Sequence, residues 1–293
     1  MTYDFKIFRI TDDSPPYPPY HEGLYLEEFF YDFYKKNKSS FDKTGYTLIP
    51  IFWTAVYREN IFFKSSIDRK QYLQYYLNAL PQGKYFCVSQ HDDAIKEILP
   101  NGTISFEAGG RRDGIAIPLI CSPLKKIPNA AEKEFFCSFV GSMTHPIRKE
   151  LFNLYSLDKD FKLIGSEWTA AVSNNQFNEF IDTTIKSEFT LCPRGYGASS
   201  FRLYETLQLG SIPVYISDKE WLPFKDEINW NEFCVIAPFN DLKNLKQILK
   251  SFSNKQKKEM LDKGKYVYQN YFTLQKTCEQ ILKYLKNKAD IIQ

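Results

Sequence analysis

The sequence predicts an α/β protein of two domains, each organised around a parallel sheet. Short runs rich in β-branched and aromatic residues alternate along the chain with longer segments of helical period, an order that is typical of parallel sheets covered by helices. The length of 293 residues is long for one domain and short for three. With 43% hydrophobic and 17% aromatic residues, the chain has enough apolar material for a packed core in each domain.

The first half of the chain begins with a strand and continues with alternating helices and strands. A short apolar run flanked by polar residues indicates a strand, and a longer segment with apolar residues three or four positions apart indicates a helix. The predicted strands occupy residues 5–10, 47–53, 85–89, 103–106 and 115–120. The predicted helices occupy residues 24–36, 69–80 and, as a short element, 94–99.

The second half repeats the alternation and ends in helices. Each of its strands is followed by helix-like sequence, and the strands occupy residues 135–141, 161–164, 189–192, 212–216 and 233–236. The last stretch, residues 253–287, predicts two lysine-rich helices with apolar positions at Ile281, Leu282 and Leu285. Such helices either pack with a solvated lysine face or rest on an anionic membrane surface, and packing is the expectation.

The two halves are separated by residues 121–134. This segment is rich in proline and lysine and has no apolar period, which indicates a domain linker. We therefore assign residues 1–125 and 126–275 to two α/β domains, and expect residues 276–293 to form a helix that packs back near the N-terminal domain. Ligands of such domains bind at the C-terminal ends of the strands, so residues directly after a strand are the candidates for a site.

Composition and patterning argue against several classes of protein. The net charge is +3 and no nucleic-acid motif is recognised, so nucleic acid is not an expected partner. No apolar run approaches the roughly 20 residues that cross a bilayer, and the N-terminal sequence lacks the pattern of a secretory signal, so a cytoplasmic protein is expected. The cysteines have no metal-binding spacing and lie mostly in apolar runs, which predicts buried, reduced thiols. They are Cys87, Cys121, Cys137, Cys192, Cys234 and Cys278.

A glycine-bearing turn follows the strand at residues 189–192 and leads into a helix. Gly195 and Gly197 allow the chain to turn sharply and to bring backbone N–H groups close to a ligand. Ser199 or Ser200 is suited to the N-cap position. Because the helix then directs its free N–H groups and the positive end of its dipole toward the strand edge, the segment predicts an anion site.

Two charged residues lie near the start of this helix, which we expect to end at about residue 209. Arg202 is in the first turn, where a guanidinium can bind phosphate oxygens bidentately. Glu205 lies on the same face about 4.5 Å further along the axis. A nucleoside diphosphate along this face would place its pyrophosphate at Arg202 and its ribose hydroxyls at Glu205. The alternative is an ion pair between these two side chains, three residues apart.

The segment "FVGSMTHPIRKEL" repeats this design. After the strand come Gly141 and Ser142, and then a helix with a proline suited to its first position. Arg148, in the first turn, would add a second cation to the same anion site. The alternative is that Thr144 or His145 only caps the helix.

The segment "FTLCPRGYGASSFRLYETLQLGSIPVYISD" closely resembles the signature of the exostosin-like glycosyltransferases, glycosyltransferase family 47. In that family C-P-R-G-x-G precedes S-x-R-x-x-E and a G-x-I-P-V strand. The downstream "WLPFKDEINWNEFCVIAPFNDLKNLKQIL" and the upstream "FFCSFVGSMTHPIRKEL" resemble the family as well. The first half resembles it through "YTLIPIFW", "VSQHDDAIKEIL" and "DGIAIPLI". The likeness covers most of the chain and is most specific between Cys192 and Phe224.

The resemblance implies a GT-B architecture, in which two Rossmann-like domains with parallel sheets face a central cleft. It assigns the acceptor to the N-terminal domain and the nucleotide-sugar, favouring UDP-sugars, to the C-terminal one. It implies that Arg194 and Arg202 hold the diphosphate, that Glu205 holds the ribose, and that transfer inverts the anomeric centre in one displacement. The expected donor-binding residues are Gly141, Ser142, Arg148, Arg194, Gly195, Tyr196, Gly197, Ser199, Ser200, Arg202 and Glu205.

An inverting transfer needs a general base near the acceptor hydroxyl, and the N-terminal domain is expected to supply it. His91 and Asp92 follow the strand at residues 85–89 at the correct edge, so these two are the predicted catalytic residues. For each of them the alternative is a helix cap or a turn former. The rival candidates are Asp12, Asp13, His21 and Glu22.

Two further motifs are interpreted as structural. Asp158-Lys159-Asp160 is a D-x-D sequence, the pattern by which other glycosyltransferases hold a metal, but it precedes a strand and therefore predicts a surface turn. Because arginines and helix dipoles supply positive charge at the phosphates, we expect a metal-independent enzyme without a cofactor. Arg111 and Arg112, at a turn between strands, could contact an acidic acceptor, although exposed arginines at a turn are the ordinary case.

The leading hypothesis is a glycosyltransferase that moves a sugar from a nucleotide donor to a hydroxyl of a glycan, in surface polysaccharide or glycan synthesis. One alternative is a nucleotide-sugar epimerase of similar shape, which would convert the donor without an acceptor. Another is a non-catalytic module that binds a nucleotide-sugar or a glycan. The expected partners are the donor and the acceptor, with at most peripheral contact to the inner face of a membrane through the lysine-rich helices.

Overall fold

In the computed structural model, the chain divides into two compact units. Described residues up to Ile117, together with a C-terminal helix that begins at Leu274, form unit 1, and those of Pro118–Thr273 form unit 2. The strand predicted at residues 5–10 lies outside the described residues. The structure describes residues 26–62, 69–93, 95–110, 114–121, 124, 131–169 and 172–291.

Helices and strands alternate in the order expected of an α/β protein. The described strands are β1 (Tyr46–Leu48), β2 (Lys84–Ser89), β3 (Ile104–Glu107), β4 (Ile115–Ala116), β5 (Phe135–Ser142), β6 (Phe161–Ser166), β7 (Ser187–Pro193), β8 (Ile212–Ile216) and β9 (Val235–Ile236). The described α-helices are α1 (Leu26–Lys36), α2 (Lys38–Asp42), α3 (Trp53–Phe62), α4 (Arg69–Asn78), α5 (Pro146–Tyr155), α6 (Asn174–Ile185), α7 (Phe201–Leu209), α8 (Leu245–Lys250), α9 (Asn254–Tyr271) and α10 (Leu274–Asp290). Short 3-10 helices at Trp230–Glu232 and Leu242–Asn244 flank β9.

Each unit contains a parallel sheet. In unit 1 the described strands pair in the order β1-β2-β3-β4. In unit 2 the order is β6-β5-β7-β8-β9, and every pair is again parallel. The predicted α/β class with two parallel sheets is therefore confirmed. All five strands predicted in unit 2 are present, with ends within two residues of the predicted ones.

The strand order of unit 2 creates a switch point between β5 and β7. The chain runs from β5 outward to β6, and then returns to the other side of β5 to add β7, β8 and β9. In an open α/β sheet a crevice forms where the order reverses, at the C-terminal ends of the two strands, and ligands bind there. The two turns predicted as an anion site follow β5 and β7, so the topology brings them together.

A continuous apolar core supports this edge of unit 2. Phe139, Phe189 and Val214 are fully buried on the three central strands. Gly264 of α9 lies against α7, where an ideal Cβ would be 2.9 Å from Cδ2 of Leu207, so α9 holds the helix that begins at the anion site. The predicted buried thiols are confirmed, because all six cysteines are buried and none is bonded to another.

The strand predicted at residues 47–53 is wrong in its second half. The strand ends at Leu48, and Trp53 begins α3. Every side chain from Trp53 to Tyr57 is buried, so the start of α3 is buried around its whole circumference. A helix of this kind shows no 3.6-residue period, and a short apolar run is then indistinguishable from a buried strand.

The short helix predicted at residues 94–99 is wrong. Its described part, from Ile95, is irregular. The N–H of Lys96 donates to Oη of Tyr57 (2.8 Å) and the N–H of Ile98 donates to Oε1 of Gln74 (2.9 Å), so side chains replace the carbonyl acceptors of a helix. The strand predicted at residues 115–120 is also shorter, because β4 ends at Ala116.

The C-terminal sequence forms the two expected helices. In α10, Ile281 and Leu285 are fully buried, and the ring of Tyr284 packs edge-on against Phe106 of β3, with centroids 5.5 Å apart. The helix thus packs within unit 1, the position expected for residues 276–293. Among the described helices, none combines the length and the apolar character that a membrane crossing requires.

Candidate donor and acceptor sites

The C-terminal ends of β5 and β7 diverge at the switch point of unit 2. Their ladder ends at the pair Ser138 and Thr190, whereas β5 continues to Ser142 and β7 to Pro193. Carbonyl groups beyond the ladder need other donors, because an unpaired backbone polar group inside a protein is costly. Arginine side chains supply these donors.

Arg148, from the first turn of α5, bridges the two strand ends. Its Nη1 donates to the carbonyl of Ser142 (2.6 Å), its Nη2 to that of Pro193 (3.0 Å), and its Nε to that of Arg194 (3.0 Å). Arg148 is 6% exposed. The guanidinium therefore links the separated C-terminal ends of β5 and β7. Its positive charge lies close to the turn after β7. The direct contact of Arg148 with a diphosphate stays a prediction.

Gly195 lies directly on this guanidinium. An ideal Cβ at residue 195 would be 3.3 Å from Nη2 of Arg148 and 3.7 Å from Oγ1 of Thr144, so a side chain would press on the bridge. Gly141 is placed similarly, with an ideal Cβ 3.7 Å from Nη1 of Arg148. Neither Gly195 nor Gly197 has a positive φ. Glycine at 195 is thus explained by close approach and not by a left-handed backbone.

Backbone and hydroxyl groups close the turn between β7 and α7. Oγ of Ser200 accepts the N–H of Arg202 at 3.3 Å, so Ser200 is the N-cap. The carbonyl of Ser199 accepts the N–H of Gly195 at 3.3 Å, while Tyr196 is half-exposed. The strand, turn, cap and helix therefore occur in the predicted order.

Arg202 and Glu205 form the ion pair that was the alternative to a ligand-binding role. Nη1 of Arg202 pairs with Oε2 of Glu205, and its Nε donates to the carbonyl of Val140 on β5 (2.7 Å). The guanidinium lies 3.9 Å from the ring centroid of Phe180. The Glu205 side chain is only 8% exposed. A carboxylate has acceptor positions beyond one arginine contact, so the pair is compatible with binding ribose hydroxyls.

Arg194 is held by a residue that the sequence reasoning missed. Its Nη1 pairs with Oδ1 of Asp218, two residues after β8. Burial opposes ionisation of Asp218, but the hydrogen bond and the charge of Arg194 prevail and lower its pKa. The rule that selects residues directly after a strand would also have selected Asp218 at the end of "IPVYISD".

His145 is the N-cap of α5, as the capping alternative proposed. Its Nδ1 accepts the N–H of Ile147 at 3.3 Å, and a proline occupies the first helical turn. Burial lowers the pKa of His145, and the charge of Arg194 lowers it further. The imidazole is therefore neutral near pH 7, and its proton lies on Nε2 because Nδ1 accepts.

In unit 1, His91 and Asp92 follow β2 at the C-terminal edge of the sheet, as predicted. Gly109, after β3, packs on their backbone. An ideal Cβ at residue 109 would be 2.4 Å from Cα of Asp92 and 2.5 Å from the carbonyl oxygen of His91. Only glycine fits there, so the turn that carries both residues is fixed against β3.

The hydrogen bonding of His91 bears on its chemical role. Its Nδ1 accepts the N–H of Asp93 at 3.1 Å, and its ring packs edge-on against Tyr57 with centroids 5.1 Å apart. A neutral imidazole whose Nδ1 accepts carries its proton on Nε2. His91 in this state donates from Nε2 while its Nδ1 is already hydrogen-bonded, so a neutral His91 is the weaker candidate for a general base.

Glu27 of α1 also holds the turn after β2, through a hydrogen bond at Gln90. Its Oε1 accepts the N–H of Gln90 (3.0 Å), the N–H of Thr54 (3.1 Å) and the hydroxyl of Thr54 (2.6 Å). Glu27 is fully buried, and burial raises the pKa of its carboxyl group. No sequence signal distinguishes this glutamate from a solvated residue in the first turn of a helix, so only the packing identifies it.

The D-x-D sequence is a turn held by lysines of α8. Lys246 contacts Asp158 (2.6 Å) and Asp160 (2.9 Å), and Lys250 contacts Asp160 (2.9 Å). The hydrogen bonds from Lys250 and Lys246 lower the pKa of Asp160 to about 2. Within the described ranges, no three His, Cys, Asp or Glu residues are grouped so that they could hold a metal ion. The other candidates lie outside the described residues, namely Asp12, Asp13, His21, Glu22, Arg111 and Arg112.

A family profile and several curated proteins are similar in sequence to this chain. A family profile described as the Exostosin GT47 domain matches residues 81–252, which include the anion site and the turn after β2. The Exostosin-1 homolog of Caenorhabditis elegans is 33% identical over 113 residues, which are 38% of this chain and 30% of the relative. The probable glycosyltransferase At5g03795 of Arabidopsis thaliana is 31% identical over 129 residues, 44% of this chain and 24% of the relative.

The chain therefore spans less than a third of the length of these curated relatives. Among solved structures, a glycosyltransferase from Rickettsia africae ESF-5 superimposes with a TM-score of 0.42 at 10% identity, over 95% of this chain and 83% of that chain.

Proposed function

The chain belongs to the exostosin GT47 family, and from this premise we propose that it transfers a sugar from a nucleotide-sugar donor to a hydroxyl group of a glycan. The observation that carries the proposal is the anion site at the switch point of unit 2, where Arg148, Arg194 and Arg202 lie around the turn that leads into α7. Membership of the family favours a transferase over an epimerase or a non-catalytic binding module.

We propose that the donor's diphosphate binds at the N-terminus of α7. The positive end of the helix dipole and the guanidinium of Arg194 favour an anion there. Arg148 adds a fixed positive charge behind Gly195 without changing its hydrogen bonds. Further along the helix, the carboxylate of Glu205 accepts hydrogen bonds from the ribose hydroxyls. We propose a uridine nucleotide, the choice that the family resemblance favours.

The proposed reaction is a single displacement with inversion. The acceptor oxygen attacks the anomeric carbon, the bond between that carbon and the diphosphate oxygen breaks, and the electron pair leaves with the nucleoside diphosphate. Negative charge grows on the leaving diphosphate, and preorganised arginines and helix N–H groups stabilise it best in the transition state. The acceptor's proton passes to a general base, for which we propose the carboxylate of Asp92.

Binding of a nucleoside diphosphate tests the donor site. UDP at 1 mM should raise the melting temperature of the chain, because a ligand of the folded state stabilises it. Replacing Glu205 with glutamine should weaken UDP binding about tenfold, since a hydrogen bond to a charged group is worth about 1.5 kcal/mol or more. Glutamine still accepts from Arg202, so the melting temperature without ligand should change little.

Glu188→Gln is the matched control. Glu188 is a partly exposed glutamate near the N-terminal end of β7 that pairs with Lys257 at 2.8 Å, at the opposite edge of the sheet from the anion site, and its replacement should leave UDP binding unchanged. Equal UDP affinity in Glu205→Gln and the unaltered chain would show that the ribose is not bound at Glu205. Arg202→Ala is a poorer test, because it leaves the buried Glu205 carboxylate unpaired and destabilises the fold.

The transfer should not depend on a divalent metal. Arginines and a helix N-terminus supply the positive charge that a metal supplies in other transferases, so the rate in 5 mM EDTA should stay within about twofold of the rate without it. The measurement is release of nucleoside diphosphate in the presence of acceptor. Loss of activity in EDTA that manganese restores would contradict the prediction. Incubation of the donor alone should yield no epimer, which separates transfer from epimerisation.

A further inference from the structure

The three arginines of the anion site differ in what holds them. Arg148 donates to three backbone carbonyls, and Arg202 pairs with a buried glutamate. Arg194 pairs instead with Asp218, whose side chain is 42% exposed. A partner that is solvated can leave an arginine at little cost, because the freed carboxylate is hydrated at once. Of the two ion pairs, the one between Arg194 and Asp218 is therefore the one that a ligand can replace.

The backbone of Arg194 is fixed, whereas its guanidinium is incompletely hydrogen-bonded. Its N–H donates to the carbonyl of Ile216 at 2.8 Å, and Nη2 donates to the carbonyl of Tyr196 at 3.3 Å. Nε of Arg194 is buried and has no hydrogen-bond partner among the described residues. A buried donor without a partner is costly, so the guanidinium is arranged to gain hydrogen bonds when an anion arrives.

We propose that Asp218 is a resident counter-anion, which occupies Arg194 in the empty site, is displaced by the donor's diphosphate, and disfavours the product nucleoside diphosphate more than the nucleotide-sugar. The inference rests on the proposed function, because it concerns the same anion site. It makes Asp218 a specificity-determining residue that assists product release.

The discrimination follows from the charges of substrate and product. A nucleotide-sugar carries about two negative charges on its diphosphate, whereas the free nucleoside diphosphate carries nearly three at neutral pH, since the second pKa of a terminal phosphate is about 6. The displaced carboxylate stays close to the ligand, because the backbone of Asp218 lies only two residues after β8. It therefore repels the product more strongly than the substrate.

The groups around Asp218 offset little of the repulsion between its carboxylate and the ligand. Once a diphosphate engages Arg194, the charge of His145 would also act on Asp218, but the lowered pKa of His145 leaves it neutral near pH 7. The strand ends then carry the positive charges of three arginines and the negative charges of Glu205, Asp218 and the ligand. Removal of one carboxylate charge shifts this balance toward binding, and the shift is larger for the ligand with the greater charge.

Asp218→Asn tests the inference with UDP and UDP-glucose as probes. Calorimetric titration in 50 mM salt should show that the variant binds UDP about tenfold more tightly and UDP-glucose about threefold more tightly than the unaltered chain. Both gains should shrink in 0.5 M salt, where charges are screened within about 4 Å. In steady-state transfer, the variant should be inhibited by UDP at lower concentration.

Two variants control for indirect effects. Glu220→Gln removes the same charge two residues away, where the glutamate pairs with the exposed Lys225 at 3.0 Å, and it should change UDP affinity less than twofold. In an Arg194→Ala background, Asp218→Asn should lose the part of its effect that comes from competition for Arg194 and keep only a smaller gain for UDP, which comes from the relieved repulsion between carboxylate and ligand. Melting curves establish that each variant is folded.

The outcomes separate the two claims. If the unaltered chain binds UDP and Asp218→Asn binds it equally or more weakly, Asp218 is inert or contacts the donor, and only the inference is overturned. If Asp218→Asn gains the same factor in affinity for UDP and for UDP-glucose, the proposed discrimination between product and substrate is overturned. If the unaltered chain binds neither UDP, UDP-glucose nor inorganic pyrophosphate, the proposed function and the inference fail together.

Discussion

Replacing Asp92 with asparagine is expected to lower the rate of sugar transfer by about 10²- to 10⁴-fold, the usual contribution of a general base. The substitution keeps the size of the side chain and removes its ability to take the acceptor's proton. Donor binding should be unchanged, because the proposed diphosphate and ribose contacts lie in unit 2. The measurements are kcat with saturating donor and acceptor, and UDP affinity by titration.

Asp93→Asn is the matched control for this prediction. Asp93 lies one residue further along the same turn, and its Oδ2 pairs with Lys96, so its carboxylate has a structural partner. We expect Asp93→Asn to keep the transfer rate within about threefold, as is usual for a substitution away from the reacting atoms. If Asp92→Asn retains the rate while His91→Asn abolishes it, the base is His91 and the tautomer argument is wrong.

Replacing Arg148 with alanine is expected to destabilise unit 2 by about 3 kcal/mol or more, because it leaves the carbonyls of Ser142, Pro193 and Arg194 without their donor, each at a cost of about 1 to 3 kcal/mol. For a unit of this size that corresponds to a fall of about 6 to 12 °C in melting temperature. The turn would also lose the group that holds β5 against β7. Differential scanning calorimetry measures the effect.

Lys149→Ala provides the comparison on the same helix. Lys149 is exposed on α5, next to Arg148, and its replacement should change the free energy of unfolding by less than about 0.5 kcal/mol. Arg148→Lys should fall between the two, because an ammonium keeps the charge but cannot span three carbonyls in a planar fork. If Arg148→Ala is as stable as the unaltered chain, water hydrogen-bonds the three carbonyls at no cost in the free energy of unfolding, and the prediction is wrong.

The local design of the anion site could be predicted because its signals are contiguous. The run "FTLC" gives a strand, and Ser200 and the glycines mark where α7 begins. The proline before Ile147 marks the start of α5 in the same way. These signals depend on hydrophobic period, capping and backbone freedom, which act over a few residues. For the same reason the strand at Ile212–Ile216 was placed correctly at both ends.

Other features depend on contacts between distant parts of the chain. The irregular segment after Ile95 is held by side chains of Tyr57 and Gln74, and the first turns of α3 are buried all round. Neither condition leaves a periodic trace in the sequence, so the helix at 94–99 and the long strand at 47–53 were predicted wrongly. Glu27 gives no signal either, because its role is defined by Thr54 and Gln90.

By itself, the sequence determined the α/β class, the strand-turn-helix units and the residue types of an anion site, because those follow from local period and capping. Only the tertiary structure decided what each arginine does. Arg148 is 45 residues from Pro193 and Arg194 is 24 residues from Asp218. The first pair meets because the crossover places the ends of β5 and β7 at one edge, and the second because β8 pairs with β7 in parallel. A guanidinium binds whichever acceptors the fold brings within reach, and the strand order sets that choice.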